Sequence, residues 1–165
     1  MTKDVYRVAL ISAGMISNVA HIPAYKNLGK RVEIVGVADI RQEAANETAK
    51  RHGIPNVYTD PQKMLEELKP DIVSLCTPNA YHKRWTIAAL RSGAHVLCEK
   101  PMAMTYRDAT EMYGEARKAG KQLVACQTRR FTNDMTLAKE IVPTGILGRP
   151  YFAEMDCVRR RGIPS

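Results

Sequence analysis

Glycine and proline are sparse, 10 and 9 of 165 residues, which excludes collagen-like and low-complexity chains. Aromatic residues are scarcer than usual at 6%. None interleaves with the two dense basic runs, Arg129-Arg130 and Arg159-Arg160-Arg161, so the stacking platform of a nucleic-acid binder is missing. The four cysteines, Cys76, Cys98, Cys126 and Cys157, contain no CxxC pair, the local spacing of a zinc site. They read as free packing thiols of a reducing cytoplasm, and no metal is expected. Long hydrophobic runs are absent too. Val8–Ile11 and Ile34–Ala38 fall far short of the ~18 residues of a membrane helix. Met1-Thr2-Lys3-Asp4 leads into a strand-like run, not the apolar stretch of a signal peptide. The expectation is a cytoplasmic protein with neither membrane nor nucleic acid as partner.

What is present is ordinary globular composition, 45% hydrophobic and 25% charged, enough to bury a core without staples. The net charge of +8 comes from 25 basic against 17 acidic residues. The bases are scattered, which suits a surface facing a small anionic molecule. Short β-branched runs alternate with helical patterns. Strands are expected at Tyr6–Ile11, Val32–Ala38, Ile72–Cys76, His95–Cys98 and Gln122–Cys126, with a weaker one at Asn56–Tyr58. Helices are expected at Met15–Leu28, Gln42–His52, Pro61–Leu68, Tyr81–Ser92 and Tyr106–Ala119. The strands are almost continuously apolar, as in Ile34-Val35-Gly36-Val37-Ala38, which is the mark of parallel strands covered on both faces. The fold class is therefore α/β, a doubly wound parallel sheet. Beyond the Gly/Pro-rich stretch Gly148-Arg149-Pro150, the run Tyr151–Arg159 reads as a long strand with nothing to pair with. Residues 1–148 are expected to form one domain and 149–165 the start of a truncated second.

The first strand enters Ser12-Ala13-Gly14-Met15-Ile16-Ser17. A dinucleotide fold needs a tight turn there, where backbone N–H groups and a helix start meet the pyrophosphate, and its usual pattern is G-x-G-x-x-G. This chain has S-x-G-x-x-S. Gly14 keeps the position where backbone approaches phosphate, Ser12 makes the turn with a Cβ, and Ser17 is small enough for close helix–sheet packing. Asp39 ends the second strand, where an acid binds the adenosine ribose hydroxyls; a helix N-cap is the second role open to it. Asp39 repels a 2′-phosphate and favours NAD, while Arg41 tolerates one and leaves NADP possible. Thr77 and Asn79, after the fourth strand, line a cofactor cleft or cap the next helix. His82 faces the nicotinamide half or is structural. The fifth strand ends in Glu99-Lys100-Pro101, a charged pair at an edge where such folds hold their ligands. A lysine beside Glu99 in a cleft suits acid–base work, against the reading of a solvated surface lysine. Pro101 raises the prospect of a cis peptide bond. His21, close before Pro23, reads as a break in the first helix.

Taken in order, Ser12–Ser17 with Asp39, Thr77-Pro78-Asn79 with His82, and Glu99-Lys100-Pro101 resemble the Gfo/Idh/MocA oxidoreductases, the glucose–fructose oxidoreductase and inositol dehydrogenase group. The resemblance covers essentially the whole chain, and Ser12 in place of the first fingerprint glycine is its one departure. It implies an N-terminal Rossmann domain binding NAD(P) and a C-terminal α/β domain with an open sheet. Lys100 would be the catalytic lysine, assisted by a His, often with an Asp, from that second domain. Ser12, Gly14, Met15, Ile16, Asp39, Arg41, Thr77, Asn79, His82, Glu99, Lys100 and Gln127 would contact the cofactor. The implied activity is NAD-dependent hydride exchange with a secondary hydroxyl of a sugar, polyol or related compound, in a homo-oligomer when full length. A non-catalytic dinucleotide-binding sensor or scaffold is the alternative, and it has no need of Lys100.

Overall fold

The structure is a computed structural model that describes residues 4–156 and 158. Six parallel strands form one sheet: β1 (Tyr6–Ile11), β2 (Val32–Ala38), β3 (Val57–Tyr58), β4 (Ile72–Leu75), β5 (His95–Cys98) and β6 (Leu123–Ala125). Their order is β3-β2-β1-β4-β5-β6. The chain starts in the middle, winds outward to β3, returns to β4 beside β1 and winds out the other way. Loops after β1 and β4 therefore diverge and leave a crevice at their C-terminal ends, the switch point of a doubly wound sheet.

Alternate side chains of β1 serve opposite faces. Leu10 packs with Ile22 of α1 (Ile22–Asn27), Ala49 of α2 (Gln42–His52) and Val37. Ala9 and Ile11 join Met64 and Leu65 of α3 (Pro61–Leu68), Leu90 of α4 (His82–Arg91) and Met112 of α5 (Tyr106–Ala119) on the other face. Fully burying one such aliphatic side chain contributes ~1.5–3 kcal/mol, so both layers are held without cross-links. Gly36 lets α3 sit close, since a Cβ there would lie 2.5 Å from Leu68 Cδ1. Local chemistry sets the helix ends. Asp60 caps α3, accepting from the Gln62 N–H at 2.9 Å, and Thr105 caps α5, accepting from the Asp108 N–H at 3.1 Å. Gly53 and Gly120 end α2 and α5 in the left-handed conformation, φ 70° and 62°, which glycine adopts without a Cβ clash.

Three differences from the sequence reading have physical causes. The first helix does not break at His21: it widens into a π-helix over Ser17–His21, where the Ile22 N–H donates to the Ser17 carbonyl, and continues as α1 with Pro23 in its first turn. Proline has no N–H to place in the ladder, and the wide turn lets the helix pass it. A helix not foreseen, α6 (Asn133–Ile141), buries no residue. Finally, Tyr151–Asp156 form no strand. An isolated extended segment has no ladder partner. The rest of that expected strand includes Cys157 and Arg159, which lie outside the described residues. The contacts divide the chain into two compact units, Met1–Gln127 and Thr128–Ser165. The first carries the sheet and the second carries α6.

Candidate functional site

β1 ends at Ile11, and Ser12 turns the chain with φ 94°, a region that resists any residue with a Cβ. Three bonds hold it there. Its N–H donates to the Ala38 carbonyl at 2.7 Å, its carbonyl accepts from Ser17 Oγ at 2.7 Å, and its hydroxyl oxygen accepts from the Gly14 N–H at 3.3 Å. Asp39 is buried at the end of β2 and braces the same turn. Its Oδ2 accepts from the Ala13 N–H at 2.8 Å and lies 3.4 Å from Ser12 Oγ. Its Oδ1 accepts from the Arg41 N–H at 2.9 Å, with Arg41 Nε 3.5 Å away. Asp39 is not the N-cap of α2; Arg41 holds that position without a side-chain cap bond. Met15 is 78% exposed, so what it and Ile16 bring to the turn is the backbone N–H donors of a first helical turn.

A cleft of about 570 Å³ opens beside this turn. Ser12, Gly14, Asp39, Arg41 and Thr77 line it, as the sequence led one to expect. Ile40, Pro61, Pro78, Tyr81, Arg84 and Trp85 form most of the rest of its walls, and sequence reasoning named none of them as contacts. Arg84 stacks over the Trp85 ring with Cζ 4.5 Å from the centroid. Thr77 Oγ1 is buried and finds no protein partner. Neither Thr77 nor Asn79 caps α4, whose N-cap is Tyr81 with no side-chain bond. Asn79 instead begins an exposed 3₁₀ turn, Asn79–Tyr81, and is not part of the cleft wall. His82 does not face the cleft either. It is fully buried, its Nδ1 lies 2.9 Å from the Pro101 carbonyl and its Nε2 2.9 Å from the Thr77 carbonyl. The ring ties the loop after β4 to the loop after β5, which is a structural role.

Lys100 follows β5, exposed, and its bond to Pro101 is cis. Its backbone is anchored: the Lys100 N–H donates to Glu99 Oε2 at 3.0 Å. Glu99 Oε1 pairs with His21 Nε2 at 3.0 Å, and His21 Nδ1 is 2.6 Å from Ser74 Oγ. Burial alone pushes Glu99 upward, but hydrogen bonds from His21, the Lys100 backbone and Cys126 outweigh it and hold the carboxyl below its ordinary value. Sequence reasoning did not see His21 or Ser74 as part of this group. The signal available was a half-buried acid at a strand end that needs a donor. Burial pushes the Cys76 and Cys98 thiols up to about 12 and Cys126 to about 11, so they are poor nucleophiles, in keeping with packing thiols. Gln127 is exposed just past β6 and donates its N–H to the Ala125 carbonyl at 2.8 Å.

The sheet order and a glycine-bearing turn braced by an acid at the end of β2 define a dinucleotide-binding Rossmann domain. A family model described as an oxidoreductase family with NAD-binding Rossmann fold matches residues 6–127. The chain belongs to this family, the Gfo/Idh/MocA oxidoreductases. It is 42% identical over 165 residues to D-glucoside 3-dehydrogenase of Escherichia coli, covering 100% of this chain and 47% of that protein. To myo-inositol 2-dehydrogenase of Thermotoga maritima it is 28% identical, covering 88% and 43%. Among solved structures, the WlbA dehydrogenase of Bordetella pertussis in complex with NADH and UDP-GlcNAcA aligns with TM-score 0.83 and 30% identity, over 88% of this chain and 44% of that one. The chain thus spans about half the length, or less, of the curated relatives it matches.

The residues present fit the dinucleotide that the family implies. The cleft offers an unpartnered buried hydroxyl at Thr77, apolar walls for a planar base, and a buried carboxylate at the expected strand end.

Proposed function

We propose that this chain is the cofactor-binding part of an NAD-dependent oxidoreductase acting on a secondary hydroxyl of a sugar, polyol or related compound. The observation that carries the reading is Lys100, exposed at the C-terminal edge of the sheet with its backbone clamped by Glu99. Asp39 would bind the adenosine ribose hydroxyls, its carboxylate already oriented by the Ala13 and Arg41 N–H groups. A 2′-phosphate would meet that carboxylate's charge, which favours NAD over NADP; exposed Arg41 offsets it only in part. Met15 and Ile16 would present first-turn N–H donors to the pyrophosphate. Thr77 Oγ1 would take a bond from the cofactor. Glu99 and Gln127, at the C-terminal ends of β5 and β6, would contact the nicotinamide half, and Asn79, outside the cleft wall, would reach the cofactor only by moving.

The nicotinamide, when bound, supplies the hydride acceptor or donor. Lys100 Nζ would hydrogen-bond the substrate hydroxyl and, as the neutral amine, take its proton while the hydride passes from the carbon to the nicotinamide; in reverse the ammonium would return that proton. Residues 1–148 hold the cofactor, and 149–165 lead into a substrate domain. The matched relatives are about twice as long as this chain, which supports a further domain; the contacts themselves divide the chain after Gln127. Free thiols suit a reducing cytoplasm. In the full-length protein Lys100→Met lowers kcat by ~10²-fold or more while NAD affinity stays nearly intact, the scale of an acid–base group. Survival of kcat within a few-fold would instead support the non-catalytic sensor reading.

A further inference from the structure

Three groups of different chemistry meet beside the C-terminal ends of β5 and β6. His21 from the π-helix, Glu99 after β5 and Cys126 after β6 bring an imidazole nitrogen, a carboxylate oxygen and a thiol sulfur within 4.8 Å of one another. From these residues we infer a site for a soft divalent cation of the zinc type, held by His21 Nε2, Glu99 Oε1 and Cys126 Sγ with a fourth position open. Nitrogen, oxygen and sulfur are the donor set zinc prefers, and three protein ligands with one open position are its usual non-structural arrangement. Tetrahedral coordination needs each pair of donors to settle about 3.5 Å apart. His21 Nε2 and Glu99 Oε1, 3.0 Å apart, would spread by about half an ångström on binding, and Cys126 Sγ, within 4.8 Å of both, would draw in.

The surroundings are built for either proton arrangement. Facing the Glu99 carboxylate, Nε2 carries a proton and donates, and in the tautomer with that single proton Nδ1 accepts from the Ser74 hydroxyl. With a cation on Nε2, the proton moves to Nδ1 and donates to the same Ser74 Oγ, 2.6 Å away and fully buried. A second partner that fixes the ring of a metal-binding histidine is the rule in such sites. Glu99 uses Oε1 here and keeps Oε2 on the Lys100 N–H, so coordination does not release the lysine backbone. Charge balances as well. The cation meets one carboxylate and displaces one proton from the Cys126 thiol to solvent, so two positive charges face two negative ones. The absence of a CxxC spacing does not bear on this site, because its ligands come from three separate elements.

The inference does not depend on the proposed reaction and is tested without it. Cobalt(II), a spectroscopic stand-in for zinc, is titrated into the reduced, chelator-stripped full-length protein. The expected result is a near-ultraviolet sulfur-to-cobalt band that saturates at one equivalent and is erased by zinc. Cys126→Ser abolishes the band, Cys157→Ser retains it, and His21→Gln weakens binding at least ten-fold, with circular dichroism confirming the fold of each. Should His21→Gln not fold, Glu99→Gln takes its place with the same expected loss. No band, or a band that survives Cys126→Ser, overturns the site.

Discussion

Ser12 sits at φ 94° in a turn where the usual dinucleotide fingerprint has glycine, and backbone strain of this kind costs ~1–3 kcal/mol. Its hydroxyl recovers part of that through contacts at 3.3 Å to the Gly14 N–H and 3.4 Å to Asp39, both long for hydrogen bonds. Strain outweighs them. Ser12→Gly is expected to raise stability by ~1 kcal/mol, read as a Tm increase of ~2–8 °C for a domain of this size, and to leave the turn able to bind cofactor. A lower Tm would show that the Ser12 hydroxyl is the stronger effect. At this scale the sequence was legible where chemistry is local. Gly14, Asp39 and Thr77 fall in one cleft because each closes a strand or turn whose position the apolar runs reveal. His82 was ambiguous for a physical reason: a histidine one turn into a helix looks the same whether it faces a ligand or two carbonyls.

Between elements, the π-helix and β5 are joined by His21 and Glu99, which are 78 positions apart in the chain. No periodicity or spacing marks such a pair, so it emerged only in three dimensions. The same holds for the widened turn that carries His21 inward. By contrast β1, β2, β5, α2, α3 and α5 have the bounds expected from the sequence, because apolar runs and stop residues such as Gly53 and Gly120 act locally. The His21–Glu99 link has a pH signature. Glu99 is held below its ordinary value of 4.5 in the fold, so its contribution to stability is present above that pH and is lost as pH falls through the folded value. Glu99→Gln should therefore flatten the acid limb of the stability curve below about 4.5, with little change in that slope above it. Parallel acid limbs for the two proteins in urea titrations would contradict the clamp.

For the whole molecule, the doubly wound order places every proposed cofactor contact on one edge of one sheet. Both core layers lie behind that edge, and they are what keep β1, β2 and β4 in register. What α6 and Tyr151–Asp156 do was not legible in the sequence, because neither buries an apolar face that a pattern could announce. The central claim is that this edge binds NAD through Asp39, and calorimetry on residues 1–165 with NAD+ and NADP+ tests it most directly. The account predicts saturable NAD+ binding, weaker NADP+ binding, and loss of at least ten-fold in NAD+ affinity with Asp39→Ala. No heat of binding at millimolar NAD+, or an affinity that Asp39→Ala leaves untouched, would contradict it.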